Sequence, residues 1–132
     1  MICGFPTEDD DAFKDSLDVI MQIEPDVVNV SRFFPRPKTP ASKLKRLPSG
    51  IVKARGWKMT KLCRDIAQKR NSMLLGWTGK ILIDEIGKNK SSVGRNFAYK
   101  PIVIKDEEDL GKMLIATVKR TFTTYLEGIR MD

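Results

Sequence analysis

Histidine is absent from this 132-residue chain, and cysteine occurs only twice. Without an imidazole there is no Ser-His-Asp or Cys-His pair and no histidine metal site. Cys3 and Cys63 stand 60 positions apart. Alone they cannot make a zinc or iron–sulfur site, which takes three or four ligands. No apolar run approaches the roughly 18 residues of a membrane span, so no transmembrane helix is expected. Met1–Pro6 has no basic segment and no long apolar core, so nothing marks the chain for export. The two cysteines then read as reduced thiols in a cytosolic protein, with Cys3 a small buried apolar residue.

What is present is charge, and it is unevenly spread. Residues 1–30 carry a net −7, residues 31–80 a net +13 and residues 81–132 a net +1, for a total of +7. A central basic block attracts polyanions over a Debye length, and nucleic acid is the usual partner.

Periodicity divides the chain further. Thr7 followed by Glu8–Asp11 predicts an N-cap and acidic first turn. Phe13, Leu17, Ile20 and Met21 extend this to a helix over about 8–23. Val27, Val28, Val30 and Phe33 predict a buried strand, so the front end reads as a parallel β-α-β unit. Four prolines between 35 and 48 impose a basic loop, with a helical turn around 41–44. A long helix follows over about 49–73, with Ile51, Ala54, Met59, Leu62, Cys63, Ile66 and Ala67 as its apolar stripe. Beyond 75, five short strands separated by turn signals predict a small antiparallel barrel. Met113 and Ile115 are expected in its core. Arg95, Phe97, Tyr99, Lys100, Lys119, Arg120, Phe122 and Tyr125 are expected on its surface, where aromatics beside cations suit base stacking. The fold class is therefore α+β.

Several segments in order carry a resemblance. They are Ile2-Cys3-Gly4-Phe5-Pro6-Thr7-Glu8, then Asn29 through Ala41 (NVSRFFPRPKTPA), Leu62-Cys63-Arg64, Arg70-Asn71, Leu82-Ile83-Asp84-Glu85 and Gly94 through Pro101 (GRNFAYKP). The chain resembles the C-terminal part of a radical-SAM tRNA methylthiotransferase of the MiaB-like group, ending in a TRAM domain. The wording of 29–41 is nearest the archaeal and eukaryotic branch, whose substrate is threonylcarbamoyl-adenosine beside the anticodon.

The resemblance implies residues 1–47 as a remnant of a β/α barrel, 48–74 as a connecting basic helix, and 75–132 as a TRAM, OB-like barrel. It implies that Gly4, Phe5, Pro6, Glu8, Ser31, Arg36 and Thr39 form part of an S-adenosylmethionine cleft. Active sites of β/α barrels do gather at the C-terminal ends of strands. It implies tRNA contacts from Arg95, Asn96, Tyr99, Lys100, Lys119, Arg120 and Tyr125. The family's two 4Fe-4S clusters would be held by cysteines upstream of Met1, so no catalytic or metal-binding residue, and no cofactor held by these residues alone, is expected here. One departure is Lys38, where the family usually has Gly. Residues 1–35, lacking the rest of their barrel, would expose strand edges and be mobile, rearranged or self-associated. A stand-alone TRAM-type RNA-binding module is the alternative. Either way the expected setting is cytoplasmic, with tRNA as partner and no membrane.

Overall fold

The acidic run at the N-terminus opens a helix slightly later than its composition suggests. The structure, a computed structural model, describes residues 1–131. Glu8 N–H donates to the Phe5 carbonyl (2.8 Å), so residues 5–8 are taken up by a turn. Asp9 rather than Thr7 then caps α1 (Asp10–Ile23), its carboxylate accepting from Ala12 N–H at 2.8 Å. Asp10 and Asp11 follow in the first turn, where they suit the helix dipole.

The chain divides into two compact units, Met1–Ala67 and Gln68 onward. The first contains β1 (Ile2–Cys3), α1, β2 (Ser31–Arg32), a 3₁₀ turn at Pro40–Lys43 and most of α2 (Ser49–Ser72). β1 and β2 pair in parallel, Ile2 opposite Ser31 and Cys3 opposite Arg32. The strand expected from Val27 to Phe33 shrinks to two residues. A two-residue partner can extend pairing no further, and Val27 is left exposed. Residues 1–35 supply part of a packed cluster. Cys3, Phe13, Leu17 and Ile20 share one buried cluster with Met59 and Ile66 of α2, joined by half-buried Val28 and Val30.

The buried face of α2 differs from the expected stripe. Ile51 and Ala54 are exposed, whereas Val52 is half-buried and Arg55 is buried with Met59 and Ile66. Only the start of the stripe is shifted by one residue, since Met59, Leu62, Cys63, Ile66 and Ala67 are buried or half-buried as expected; two requirements, one polar and one steric, sit there. Arg55 pairs inward, and Val52 packs on Gly4. A Cβ at Gly4 would lie 2.6 Å from Val52 Cγ1, and Gly4 has φ +84°. Space and backbone conformation both require glycine at this position.

The second unit is a closed barrel of β3 (Thr78–Ile86), β4 (Ser92–Arg95), β5 (Pro101–Ile104), β6 (Met113–Thr121) and β7 (Leu126–Met131). The order around it is β3-β4-β5-β7-β6. Four of the pairings are antiparallel and β5–β7 is parallel. The purely antiparallel barrel expected from the sequence is thus corrected to a mixed one. An odd number of strands cannot close with every neighbour reversed, so one parallel pair is unavoidable.

Its core is Ile81, Ile83, Ile102, Ile104, Leu114, Ala116, Val118 and Leu126. Met113 and Ile115 are not in it: they are 59% and 46% exposed. Alternation along β6 points Leu114 and Ala116 inward and sends Met113 and Ile115 outward. Glycines make room inside so narrow a barrel. A Cβ at Gly94 would meet Ile81 Cδ1 at 2.6 Å, and one at Gly128 would meet Ile102 Cγ2 at 2.9 Å.

Two consequences can be measured by chemical denaturation. Leu114→Ala should destabilise by about 2–5 kcal/mol, while Ile115→Ser should stay within about 0.5 kcal/mol of the parent. The reverse ranking would mean that β6 faces the other way. Gly4→Ala should destabilise by about 2–4 kcal/mol through overpacking and backbone strain. Adding Val52→Ala should recover the packing part only.

Candidate nucleic-acid interface

The pairing register brings the end of β4, the start of β5, the end of β6 and the start of β7 to one end of the barrel. Two loops, 96–100 and 122–125, therefore lie together there. Asn71, at the end of α2 and buried, ties them. Its Nδ2 donates to the Phe122 carbonyl (2.7 Å) and the Thr123 carbonyl (3.1 Å), and its Oδ1 accepts from Lys100 Nζ at 2.7 Å. Thr123 Oγ1 adds a bond to Gln68 Oε1 at 3.0 Å. Buried carbonyls left unpaired would cost about 1–3 kcal/mol each, so this one amide holds both loops in a defined shape.

Each loop presents aromatic surface beside a cation. In the first, Asn96 Oδ1 accepts the N–H groups of Ala98 and Lys100, both at 3.0 Å. This turn drives Tyr99 into the left-handed region (φ 58°). Phe97 and Tyr99 are 81% and 73% exposed. The Arg95 guanidinium lies 5.0 Å from the Tyr99 ring centre, and its Nε donates to Asp84 at 3.0 Å. Trp77 and Phe97 approach with ring centres 6.1 Å apart. In the second loop Phe122 and Tyr125 stack at 4.5 Å with 14° between planes. Arg120 covers Phe122 at 5.0 Å and donates to Glu127 at 3.2 Å. Rings pre-stacked with guanidinium groups form a surface on which bases can continue the stack.

The residues expected to meet RNA fall into three groups. Arg95, Tyr99, Arg120 and Tyr125 sit at this loop end. Asn96 and Lys100 are buried and build the loops, with the Lys100 ammonium turned inward onto Asn71. Lys119 is exposed at the β6 irregularity and lines a depression of about 240 Å³ with Lys105, Arg120 and the acids Asp106 and Glu127. Asn71 is the residue that composition did not flag as part of the interface. Its signals were its place in the Arg70-Asn71 segment of the resemblance and an amide closing the long helix just before the barrel begins.

In the first unit the Gly4–Glu8 loop is held internally. Glu8 Oε2 accepts from Gly4 N–H at 2.8 Å and from Arg55 Nη1 at 2.9 Å. Arg55 also donates to the Glu8 carbonyl and to Asp10 Oδ1, each at 2.7 Å, and lies 5.3 Å from the Phe13 ring centre. Burial alone would lower the guanidinium pKa, but the bonds to Asp10 and Glu8 outweigh it and raise it. Phe5 meets Phe33 edge-on at 5.1 Å, which joins the two loops, and Pro6 is half-buried between Phe5 and the α1 cap. Gly4 lines a groove of about 360 Å³ with Arg32, Phe34 and Arg46. Ser31 lines a different groove, which shares Arg32 with the first. Arg36 and Thr39 line neither; they close a turn in which Thr39 Oγ1 donates to the Arg36 carbonyl at 2.8 Å. Lys38 within it has φ +64°, the conformation glycine takes most easily.

Among the described residues no group of three His, Cys, Asp or Glu could hold a metal ion. Burial pushes the thiols of Cys3 and Cys63 upward, which disfavours thiolate ligation. The residues present thus do not fit an iron–sulfur cluster. Among the described residues no helix is long and apolar enough to cross a membrane.

No protein-family model matches the chain. Individual relatives do. The probable threonylcarbamoyladenosine tRNA methylthiotransferase of Pyrococcus abyssi is 38% identical over 128 residues, 97% of this chain and 30% of that protein. Its counterpart in Archaeoglobus fulgidus is 34% identical over the same share of both. The Drosophila melanogaster threonylcarbamoyladenosine tRNA methylthiotransferase is 31% identical over 111 residues, 83% of this chain and 20% of that protein. The chain thus spans between about a fifth and a third of the length of these curated relatives. With identity running through both units, the chain belongs to the MiaB-like family of threonylcarbamoyladenosine tRNA methylthiotransferases.

Proposed function

We propose that this chain supplies the tRNA grip of a radical-SAM methylthiotransferase that modifies threonylcarbamoyl-adenosine beside the anticodon. On this reading residues 1–47 are a piece of the β/α barrel, 48–74 the connecting helix and 75–132 a TRAM domain, acting in the cytoplasm. The observation that carries it is the paired aromatic–guanidinium surface at one end of the small barrel, braced by Asn71. Arg95 and Arg120 are already oriented by Asp84 and Glu127, so little side-chain freedom is lost on binding. Exposed Tyr99 and the Phe122–Tyr125 stack offer base platforms, and Lys119 adds a phosphate contact.

The Gly4–Glu8 and Ser31–Thr39 loops are proposed to form the rim of the S-adenosylmethionine cleft. When bound, that cofactor and the clusters supply the radical and sulfur chemistry. Within this chain Arg55 and Gly4 fix the Glu8 carboxylate, and the Phe5–Phe33 contact sets the spacing of the two loops.

The test is a titration of a tRNA anticodon stem-loop against salt. Arg95→Ala and Lys119→Ala should each weaken binding and lower the salt slope by about 0.7–1. Unchanged affinity and slope in both would remove the barrel from the interface. Asn71→Ala should cost about 1–3 kcal/mol of stability and weaken RNA binding severalfold at an unchanged slope, since it shapes the loops without touching phosphate. Methylthio-adenosine formation by these 132 residues alone is not expected; its detection by mass spectrometry would overturn the assignment of the chemistry to residues outside them.

A further inference from the structure

A second basic and aromatic concavity lies in the first unit and shares Arg32 with the groove that Gly4 lines. It occupies about 600 Å³ between β2 and α2, and Arg32, Lys53 and Trp57 are among its lining residues. No acidic residue lines it. Neither Arg32 nor Lys53 has an ion-pair partner among the described residues, in contrast to Arg55, Arg95 and Arg120. Trp57 is 69% exposed, the largest apolar side chain that α2 turns away from the core. An indole this exposed on a long helix gains nothing from folding. It is a π-face held in solvent beside two uncompensated cations.

Two backbone features build the place. Gly56 lies one turn from Lys53, and a Cβ there would come within 3.1 Å of Arg32 Cγ. The missing side chain lets the Arg32 stem rest on the helix, which restricts where its guanidinium can go. β2 belongs to a sheet of only two strands. Ser31 N–H and Phe33 N–H are taken by the Met1 and Cys3 carbonyls at 2.9 and 2.8 Å. The intervening Arg32 peptide therefore faces the opposite edge, where no strand pairs with it among the described residues. A flat ring and two phosphate-seeking cations thus border one space large enough for a nucleotide.

We propose that this groove is a second RNA seat, in which one unpaired nucleotide stacks on Trp57 with its phosphate held by Arg32 and Lys53. It rests on the reading of the chain as an RNA binder but places part of that binding outside the small barrel. An acidic peptide would satisfy the two cations and leave the indole unused; a nucleotide uses all three. The surrounding segment, residues 31–80, carries a net +13, which favours a long polyanion over a single anion.

The experiment measures binding of the full chain to a fluorescent tRNA anticodon stem-loop at several potassium chloride concentrations. Trp57→Ala should weaken binding about tenfold and leave the salt slope unchanged, because stacking releases no counterions. Arg32→Ala and Lys53→Ala should each weaken it severalfold and lower the slope by about 0.7–1. All three positions are exposed, so thermal unfolding should be unchanged; should one variant misfold, Gly56→Val, which fills the space under Arg32, gives a fourth reading. If all these variants bind like the parent while Arg120→Ala binds weakly, the groove is not a seat and the barrel interface stands. If the parent itself fails to bind RNA, the broader reading falls with it. Binding of a polyglutamate peptide that depends on Arg32 and Lys53, with RNA affinity unaltered by the variants, would also overturn the proposal.

Discussion

The guanidinium of Arg55 is buried in the first unit, and a charge in that position must be answered by the protein itself. Its partners are the Glu8 carboxylate and carbonyl, Asp10 and the face of Phe13. Glu8 in turn holds Gly4 N–H. One cation on α2 thereby fixes a loop, the first turn of α1 and the approach of β1. Burial of Cys3, Phe13, Leu17 and Ile20 against Met59 and Ile66 adds the apolar part. A pair of two-residue strands could not hold such an arrangement alone, since an isolated pair is marginal in water. Asp10 is solvent-exposed and Glu8 nearly buried, so the Glu8 pair is the less screened of the two.

The second unit obeys a different constraint, that of closing five strands. Closure removes free sheet edges and forces one parallel contact, between β5 and β7. That contact places the starts of β5 and β7 side by side and so brings two loops to one end of the barrel. Asn71 satisfies the carbonyls of one loop and the ammonium that anchors the other. The aromatic–guanidinium surfaces are the outcome of this arrangement rather than of any one loop's own preference.

Between them the two units use cations in three ways. Arg55 and Lys100 are turned inward and set geometry. Arg95 and Arg120 are partly paired and stacked on rings, which restricts their orientation. Arg32 and Lys53 remain unpaired beside an exposed indole. The net charge of +7 is therefore a poor guide to binding until these uses are separated.

The sequence alone determined where helices and strands lie, because helical and alternating periodicities are local: both helices, the 3₁₀ turn and all five barrel strands are legible in it. It also carried the family resemblance and the aromatic and basic residues of the 96–100 and 120–125 regions. It could not decide which parity of β6 faces inward. Both parities are apolar, and only the narrow interior selects Leu114, Ala116 and Val118 over Met113 and Ile115. The one-residue shift at the start of α2 was hidden for a similar reason: an arginine reads as surface until a buried carboxylate is found for it. Asn71, Arg55 and the groove beside Trp57 depend on residues between about 20 and 50 positions apart in the chain. Such contacts are set by packing and ion pairing across elements, and no local pattern encodes them.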